Sequence, residues 1–362
     1  MLEIDFVYPS LKILYFVYDL THTGNTEEVE KYLIDNGAVE LYKHMVDLGI
    51  LKYNDKLFKE IEGKKEINYK KVLDNYKNEL DEENKIKSLA EFYAKTFEVG
   101  NFDKKTKELL DLNQNTSFQL DIKLCKIRIA LIIGDKKMLH SNVEQAKHIS
   151  TIADWDRRNR FKVYLGFYAL QKADFESAAN YFYECISSFE ANELCDFENI
   201  VLYLVFSGLL SFSRNDIETK LVNNFEVLKY KKISKLAETL YNCEYNIVFD
   251  QIVEFSNFIE KDVFLSEYKE FFVKEMLFKS YSQFLLSYQS VDLVKMAQIF
   301  GVRPEFIEED IRNFIFLKRI NCEIDKLDNM IIINDINSGY SNEREMLQAD
   351  CILKSVRKTA HE

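Results

Sequence analysis

Proline is scarce in this chain, and that scarcity constrains the fold more than any other feature of the sequence. The 362 residues include two prolines and ten glycines, so few positions can interrupt a helix or force a sharp turn. Hydrophobic residues make up 47% of the chain, which is enough to build sizeable cores in two or three domains. The composition therefore predicts a mainly α-helical protein.

Charge and cysteine usage exclude several classes of function. The net charge of −12 argues against general affinity for nucleic acid, because binding to a phosphate backbone needs a basic surface. The six cysteines form no CxxC pair, and Glu3 and Asp5 interrupt the start where a signal segment would be apolar. The most apolar stretch, residues 200–210, is far shorter than the roughly 20 residues that span a bilayer. We expect reduced thiols in a soluble cytoplasmic and nuclear protein.

A regular helical pattern begins at Asp121, after an N-terminal helical region expected over residues 1–120. Helices are predicted at 122–133 and 138–149, and the unit NRFKVYLGFYALQKADFESAANYFYECISSFE follows. In that unit Gly166 and Ala178 would let two antiparallel helices approach closely, and Phe182 would fill the groove, as in a tetratricopeptide (TPR)-like pair. Such pairs cannot bury their apolar faces alone. We therefore expect a TPR-like right-handed solenoid over residues 121–260.

The pattern changes in the stretch MAQIFGVRPEFIEEDIRNFIFLKRINCEID, which begins at Met296. Ser290 is expected to cap a helix that ends before Gly301, and Pro304 is suited to begin the next helix. Two β-branched runs at 319–324 and 329–333 predict a hairpin. Helix, turn, helix and hairpin together predict a winged helix over residues 261–335.

The second helix of this unit is acidic, which is unusual for a winged helix. Such folds usually lay that helix in the major groove of DNA. Here the helix contains four carboxylates and one arginine before Lys318. The acidic residues are Glu305, Glu308, Glu309 and Asp310. We therefore expect this winged helix to contact proteins.

Two C-terminal features predict protein partners. Ile331, Ile332 and Ile333 would lie on a strand at the edge of the sheet, where strand addition by a partner would satisfy the free backbone groups. After a linker that begins near residue 336, Met346, Leu353 and Val356 form the apolar seam of a last helix that extends towards residue 362. That seam either contacts a partner in a helical bundle or packs back on its own domain.

Three stretches resemble the PCI-domain family of scaffold proteins. They are DWDRRNRFKVYLGFYA from Asp154, VKEMLFKSYSQFLLSYQSV from Val273 and RINCEIDKLDNMIIIN from Arg319. In this order they are similar to the family of 26S proteasome non-ATPase regulatory subunit 6, while residues 27–64 are only loosely similar. The resemblance implies a PCI domain over about 165–335, followed by a linker and a C-terminal bundle helix over 336–362.

The resemblance also implies a function. It indicates a non-catalytic scaffold subunit of the proteasome regulatory-particle lid that supports ubiquitin-dependent protein degradation in a hetero-oligomer. The implied partners are other PCI-domain subunits, the deubiquitinase subunit and the base ATPases, without nucleic acid or membrane. A scaffold of a COP9 signalosome-type complex stays open as an alternative, and an RNA-export PCI adaptor is a third.

Motifs for catalysis and cofactor binding are missing from the sequence. There is no HxH pair, no GxxxxGK[ST] or GxGxxG phosphate loop and no Gly-x-Ser-x-Gly elbow. His140 and His148, with Glu144 between them, could share a helix face, but a solvated surface is the simpler interpretation. We assign no catalytic, metal or cofactor residue, and we expect no enzyme.

The motif DWDRRNR allows two interpretations. Arg157, Arg158 and Arg160 beside Trp155 could bind a phosphate or stack on a base. Alternatively, an aspartate of the motif begins a helix and the arginines form salt bridges with neighbouring helices or another subunit. We expect the salt bridges.

Overall fold

The structure, a computed structural model, describes residues 6–113 and 115–333 and is mainly helical. The first ten α-helices are α1 (Lys12–Thr23), α2 (Glu27–Asn36), α3 (Val39–Asp47), α4 (Asp55–Asn78), α5 (Glu82–Lys95), α6 (Val99–Leu112), α7 (Thr116–Ile133), α8 (Lys136–Ser150), α9 (Trp155–Gln171) and α10 (Phe175–Cys185). A 3₁₀ turn at Ile186–Ser188 follows α10.

The remaining helices and a small sheet follow along the chain. They are α11 (Phe197–Ser211), α12 (Arg214–Asp216), a π-helical segment (Ile217–Val222), α13 (Phe225–Leu228), α14 (Lys231–Asn242), α15 (Tyr245–Glu260), a 3₁₀ turn (Ser266–Tyr268), α16 (Lys269–Leu285), α17 (Leu293–Phe300) and α18 (Pro304–Phe316). The strands are β1 (Ser290–Asp292), β2 (Cys322–Asp325) and β3 (Met330–Ile333). The predicted mainly α architecture with a small C-terminal sheet is confirmed.

The chain forms two compact units. The first unit contains the residues up to Leu165 together with Ser187–Asn199, and the second contains Gly166–Ile186 together with the chain from Ile200 onwards. The unit limits fall within α9 and α11. They differ from the domain limits expected at residues 121 and 261, because a repeat pattern does not record which helices pack together. The extent of the TPR-like region stays a prediction.

Helices α7 and α8 form the predicted pair in the first unit. Gly134 ends α7 with a φ of 80°, and the Asp135 carboxylate accepts 2.9 Å hydrogen bonds from the N–H groups of Lys137 and Met138. Most side chains between Ser117 and Ile132 are buried, and Gln119, Lys123 and Lys126 form one partly exposed stripe, so α7 is a core helix with only a narrow solvent face.

Close helix approach in the second unit depends on Gly166. A Cβ atom at this position would lie 2.7 Å from Cζ of Phe182, whose ring packs edge-on against Phe167 with ring centroids 6.0 Å apart. Ala178 is also fully buried. The expected role of the small residues in this repeat unit is therefore confirmed.

The alternating charges and thin apolar row of residues 64–95 predict one long solvated helix, but the structure divides this stretch into two helices. Helix α4 ends at Asn78, and Glu79 is extended with φ −73° and ψ 141°. The Asp81 side chain then accepts a hydrogen bond from the N–H of Glu83 and caps α5. The expectation of one helix was wrong because this capping aspartate lies inside a run of charged residues that all suit a helix surface.

The winged helix contains α17 and α18 as predicted, but its first strand was missed. Asp292 rather than Ser290 caps α17, with its carboxylate 2.8 Å from the N–H of Val294. Ser290 belongs to β1. Gly301 ends α17 with a φ of 68°, and Pro304 begins α18. The three-residue β1 was missed because it is too short to show a strand alternation.

The strand order β1-β3-β2 corrects the expected position of the isoleucine strand. Both β1 and β2 pair with β3 in antiparallel register, so β3 is the central strand and the prediction that it forms an edge was wrong. The sheet ends instead at β1 and β2. The hairpin of β2 and β3 has two edges. The pairing of β3 with β1, which lies far away in sequence, determines that the β3 edge is the covered one.

A carboxylate is buried in the second unit at the end of α15. Asp262 accepts hydrogen bonds from the Tyr203 hydroxyl at 2.7 Å and from the N–H groups of Phe264 and Leu265 at 2.9 and 3.1 Å. Its residue exposure is 4%. Burial raises the pKa of Asp262 to about 6, although these three hydrogen bonds act to lower it.

We predict that Gly166→Ala lowers the free energy of unfolding by about 1–3 kcal/mol, because the added methyl group collides with the Phe182 ring. Gly63→Ala is the matched control, since no atom lies within 4 Å of a Cβ on this helical glycine. The control should stabilise the protein by about 0.5–1 kcal/mol through helix propensity. Urea unfolding curves measure both, and equal effects would contradict the packing argument.

We predict that Asp262→Asn removes one component of the pH dependence of stability. The folded-state pKa of about 6 lies above the unfolded value. Asp262 therefore lowers the free energy of unfolding as pH rises from about 4 to 6, by about 1–3 kcal/mol in total. Unfolding of both proteins should be measured between these pH values. A difference between wild type and variant that stays constant with pH would contradict the buried, pKa-shifted carboxylate.

Candidate functional site

Helix α18 of the winged helix buries one face and presents an acidic one. Ile307, Ile311 and Phe314 of α18 are buried, whereas Glu305 and Glu309 are exposed. The partly buried Asp310 accepts a 3.0 Å hydrogen bond from the Tyr281 hydroxyl, and burial raises the pKa of its carboxyl group. The outer surface of α18 is therefore suited to contact a protein rather than a phosphate backbone.

A bidentate ion pair positions the chain between α18 and β2. Arg319 donates to the two carboxylate oxygens of Glu275 on α16 at 2.6 and 2.7 Å. The same guanidinium lies 3.8 Å from the centroid of the Phe278 ring. A two-point ion pair combined with stacking fixes orientation better than a single contact does. This contact holds the start of the hairpin against α16.

The structure does not bring the three predicted interface isoleucines to one surface. Ile331 is fully buried, Ile332 is 40% exposed and Ile333 is partly buried, since neighbouring strand residues point to opposite faces. Ile331 lies opposite Val291 on β1 and Ile324 on β2. Only Ile332 therefore presents a large apolar side chain outwards.

Sequence reasoning missed other exposed apolar side chains of the winged helix. Phe316 at the end of α18 is 85% exposed, and Leu327 in the hairpin turn is 94% exposed. Phe316 is out of phase with the buried positions 307, 311 and 314, so a helical-wheel analysis would have found it. The remaining predicted interface residues, Met346, Leu353 and Val356, lie outside the described residues.

A buried network in the first unit surrounds Glu193. Its carboxylate accepts hydrogen bonds from Nε of Arg160 and from the Tyr164 hydroxyl, both at 2.7 Å, and lies 3.8 Å from Nη1 of Arg128. Arg128, which is 1% exposed, also donates to Tyr164 and to the carbonyls of Phe6, Tyr8 and Pro9. One carboxylate thus faces two buried guanidinium groups.

The three arginines of DWDRRNR have different environments. Arg157 lies 2.7 Å from the buried Asp121 on α7, whereas Arg160 pairs with Glu193. Arg158 is exposed, and its Nη2 lies 3.4 Å from the Ala153 carbonyl. Two of the three guanidinium groups are therefore held in ion pairs between helices or segments of this chain, which leaves them poorly placed to bind a phosphate.

Between residues 6 and 333, with residue 114 left aside, no cluster of three or more His, Cys, Asp or Glu side chains could hold a metal ion. In the same part of the chain, no helix is long and apolar enough to cross a membrane.

Two protein families match this sequence. The family described as 26S proteasome subunit RPN7 matches residues 53–220, and the PCI domain family matches residues 252–335. The 26S proteasome regulatory subunit RPN7 of Saccharomyces cerevisiae is 29% identical over 349 residues, which cover 91% of this chain and 81% of the relative. The 26S proteasome non-ATPase regulatory subunit 6 of Dictyostelium discoideum is 29% identical over 97% of this chain and 96% of its own length. The chain belongs to the RPN7 family.

The match to the signalosome is weaker than the match to RPN7 proteins. COP9 signalosome complex subunit 1 of Arabidopsis thaliana is 20% identical over 161 residues, which cover 43% of this chain and 36% of the relative. The RPN7-family match includes Arg128, Arg160 and Glu193, and the PCI match includes the whole winged helix. Both candidate regions therefore lie within segments that define the family.

We predict that Glu193→Gln lowers the free energy of unfolding by about 3 kcal/mol or more, because it leaves two buried guanidinium groups without a carboxylate. Glu198→Gln is the control, since Glu198 is exposed at the start of α11 and should change stability by less than about 0.5 kcal/mol. Denaturant unfolding measures the change in the free energy of unfolding for both variants. A similar loss in both would argue that the network contributes little.

Proposed function

We propose that this RPN7-family subunit of the 26S proteasome lid is a non-catalytic scaffold that supports ubiquitin-dependent degradation by holding other subunits together. The observation that supports this most strongly is the similarity to named proteasome regulatory subunits along more than nine-tenths of the chain. The acidic α18 and the internally paired arginines fit a protein whose partners are proteins. Its other partners in the particle are lid and proteasome subunits.

The winged helix would contact the winged helices of other PCI-domain subunits. The unpaired edges of its sheet are β1 and β2, and strands of three or four residues still offer backbone groups to a partner strand. Exposed apolar side chains of Ile332, Phe316 and Leu327 would be covered in the same contact. Strand addition would satisfy the free backbone N–H and C=O groups of the edge strands, and burial of the apolar side chains would stabilise the contact.

The C-terminal segment would provide a second contact. Met346, Leu353 and Val356 recur at helical spacing and would form the seam of a helix in a bundle with the tails of other subunits. Through these contacts the chain would help to position the deubiquitinase subunit and to attach the lid to the base ATPases. The protein would then occur wherever the proteasome occurs, in the cytoplasm and the nucleus.

A scaffold in a signalosome-type complex is the second candidate, because COP9 signalosome complex subunit 1 also matches part of the chain. The exposed carboxylates of α18 and the ion pairs of Arg157 and Arg160 argue against an RNA-binding adaptor. Its test would be salt-sensitive oligonucleotide binding that depends on Arg157, Arg158 and Arg160.

We predict that a tagged chain purifies with proteasome ATPase subunits, and that Ile332→Lys or removal of residues 343–362 reduces this recovery at least about tenfold while the chain stays folded. Both changes would remove apolar contact area that only a partner buries. Mass spectrometry of the purified assemblies and circular dichroism of the variants provide the measurement.

Val253→Lys is the matched control for the winged-helix variant, since Val253 is 61% exposed on α15, outside the winged helix. Its recovery should equal that of the wild type. Cullins in place of ATPases would favour the signalosome, and full incorporation of both variants would count against the proposed contacts.

A further inference from the structure

A cluster of lysines lies at the start of α14, in the second unit. Lys231 and Lys232 are exposed, and Lys235 is partly exposed. The chain has a net charge of −12, yet no acidic residue occurs between Glu226 and Glu238. Helix α13, which contacts α14, adds two exposed apolar side chains to this surface. We call the surface the α14 patch, and its members are Phe225, Leu228, Lys231, Lys232 and Lys235.

The three lysines of the α14 patch form no ion pair with any residue that the structure describes. The two nearest carboxylates in the sequence are engaged elsewhere. Glu226 pairs with Lys229 at 2.6 Å, and Glu238 accepts from the Ser234 hydroxyl at 3.1 Å. Two of the lysines also lie in the first turn of α14, where the helix dipole disfavours positive charge. The patch therefore contains repulsions that an anionic partner would relieve.

The apolar part of the α14 patch lies close to the lysines. Phe225 is 72% exposed and Leu228 is 38% exposed, one turn apart on α13. Only two residues separate Leu228 from Lys231, so their Cα atoms lie within about 11 Å of each other. Lys229, between them in sequence, places its Nζ 4.8 Å from the centroid of the Phe225 ring. A partner that covers the patch must therefore offer apolar surface as well as negative charge.

The charges and the aromatic ring favour a polypeptide over a nucleic acid. Lysine lacks the planar donor fork with which arginine binds a phosphate at two points. The Lys229 ammonium already covers one face of the Phe225 ring, which hinders the stacking of a base. The net negative charge of the chain repels a long polyanion, whereas a short acidic segment contacts only the patch, since salt screens charges beyond about 8 Å.

We propose that the α14 patch binds an acidic segment of another subunit of the assembly, with two or more carboxylates on the lysines and an apolar side chain on Phe225 and Leu228. The patch lies between the segments that match the RPN7 family and the PCI domain, so this contact is additional to those of the winged helix and the C-terminal segment. The source of the acidic segment rests on the proposed scaffold function, whereas the affinity for an acidic peptide does not.

The test measures the binding of fluorescein-labelled peptides to the full chain by fluorescence anisotropy, at about 0.15 M NaCl. The acidic peptide EDELEDE should bind with a Kd below about 1 mM, and the neutral peptide QNQLQNQ should not bind. The peptide EDESEDE, which has the same charge but no apolar side chain, should bind severalfold more weakly. An increase to about 0.5 M NaCl should weaken EDELEDE binding at least about threefold.

Exchange of the patch residues locates the binding surface. The triple variant Lys231→Gln, Lys232→Gln, Lys235→Gln should weaken EDELEDE binding about tenfold, because each exposed ion pair contributes modestly. Phe225→Ala should weaken it severalfold and reduce the difference between EDELEDE and EDESEDE. The triple variant does not threaten the fold, since the lysines are exposed or partly exposed and loss of positive charge at a helix start is favourable.

The matched control is the triple variant Lys104→Gln, Lys107→Gln, Lys136→Gln. These exposed lysines of the first unit lie outside the patch, and their exchange changes the net charge by the same amount. The control should bind EDELEDE as tightly as the wild type does. Equal weakening by both triple variants would overturn the proposal, because binding would then depend on net charge alone.

Two further outcomes would also overturn the proposal. One is the absence of EDELEDE binding up to about 1 mM. The other is an oligouridylate of ten nucleotides that binds the patch more tightly than EDELEDE does, since the partner would then be a nucleic acid.

Cross-linking of the purified assembly provides a second arm, which rests on the proposed scaffold function. A carbodiimide joins a lysine amine to a carboxylate in contact with it, so Lys231, Lys232 or Lys235 should be linked to an Asp or Glu of another subunit. The same lysines should be acetylated at least about threefold more slowly in the assembly than in the isolated chain. Equal acetylation without a cross-link, in a chain that assembles, would reject the contact and leave the scaffold role intact. Failure to assemble would reject the scaffold role, and the peptide titration would still decide whether the patch binds acidic segments.

Discussion

The carboxylate of Glu193 is the contact on which the first unit depends. The carboxylate joins Arg160 and Tyr164 of α9 to Arg128 of α7. The main-chain carbonyl of Glu193 also accepts a hydrogen bond from the N–H of Leu11 at 2.9 Å. Segments far apart in sequence therefore meet at one residue. The second positive charge, on Arg128, is stabilised by hydrogen bonds that the guanidinium donates to carbonyl oxygens of the N-terminal segment. Nη1 of Arg160 is buried without a hydrogen-bond partner among the described residues, so the network is not fully satisfied.

Local chemistry explains which parts of the fold were predictable. The end of α7, the start of α8 and the end of α17 follow from Gly134, Asp135 and Gly301, which occupy fixed offsets from the helix ends, whereas the starts of α7 and α17 differ from those expected. The contact between Gly166 and Phe182 was also predictable, because a small residue at helical spacing matters only where another helix approaches. These signals involve residues that are close in sequence, so they can be recognised without knowledge of the tertiary structure.

The errors concern pairings between distant residues. Strand β1 pairs with β3 about 40 residues later, and that pairing places Ile331 in the middle of the sheet instead of at its edge. The partner of Arg160 was not foreseen, because Glu193 comes from a segment with no repeat or motif. Arg128 did leave a signal, because a charge inside the apolar run of α7 must find buried partners.

The charges of the winged helix explain why it is suited to contact proteins rather than nucleic acid. Arg312 and Lys326 both pair with Glu308, and Arg319 is engaged with Glu275. These basic groups are neutralised within the unit, whereas Glu305 and Glu309 stay exposed. Attraction to a polyanion is thereby weakened, and burial of apolar side chains and completion of strand hydrogen bonds are the favourable contributions to binding that remain. The winged helix therefore has a fold that is often used to bind nucleic acid, whereas its charges favour contact with another polypeptide.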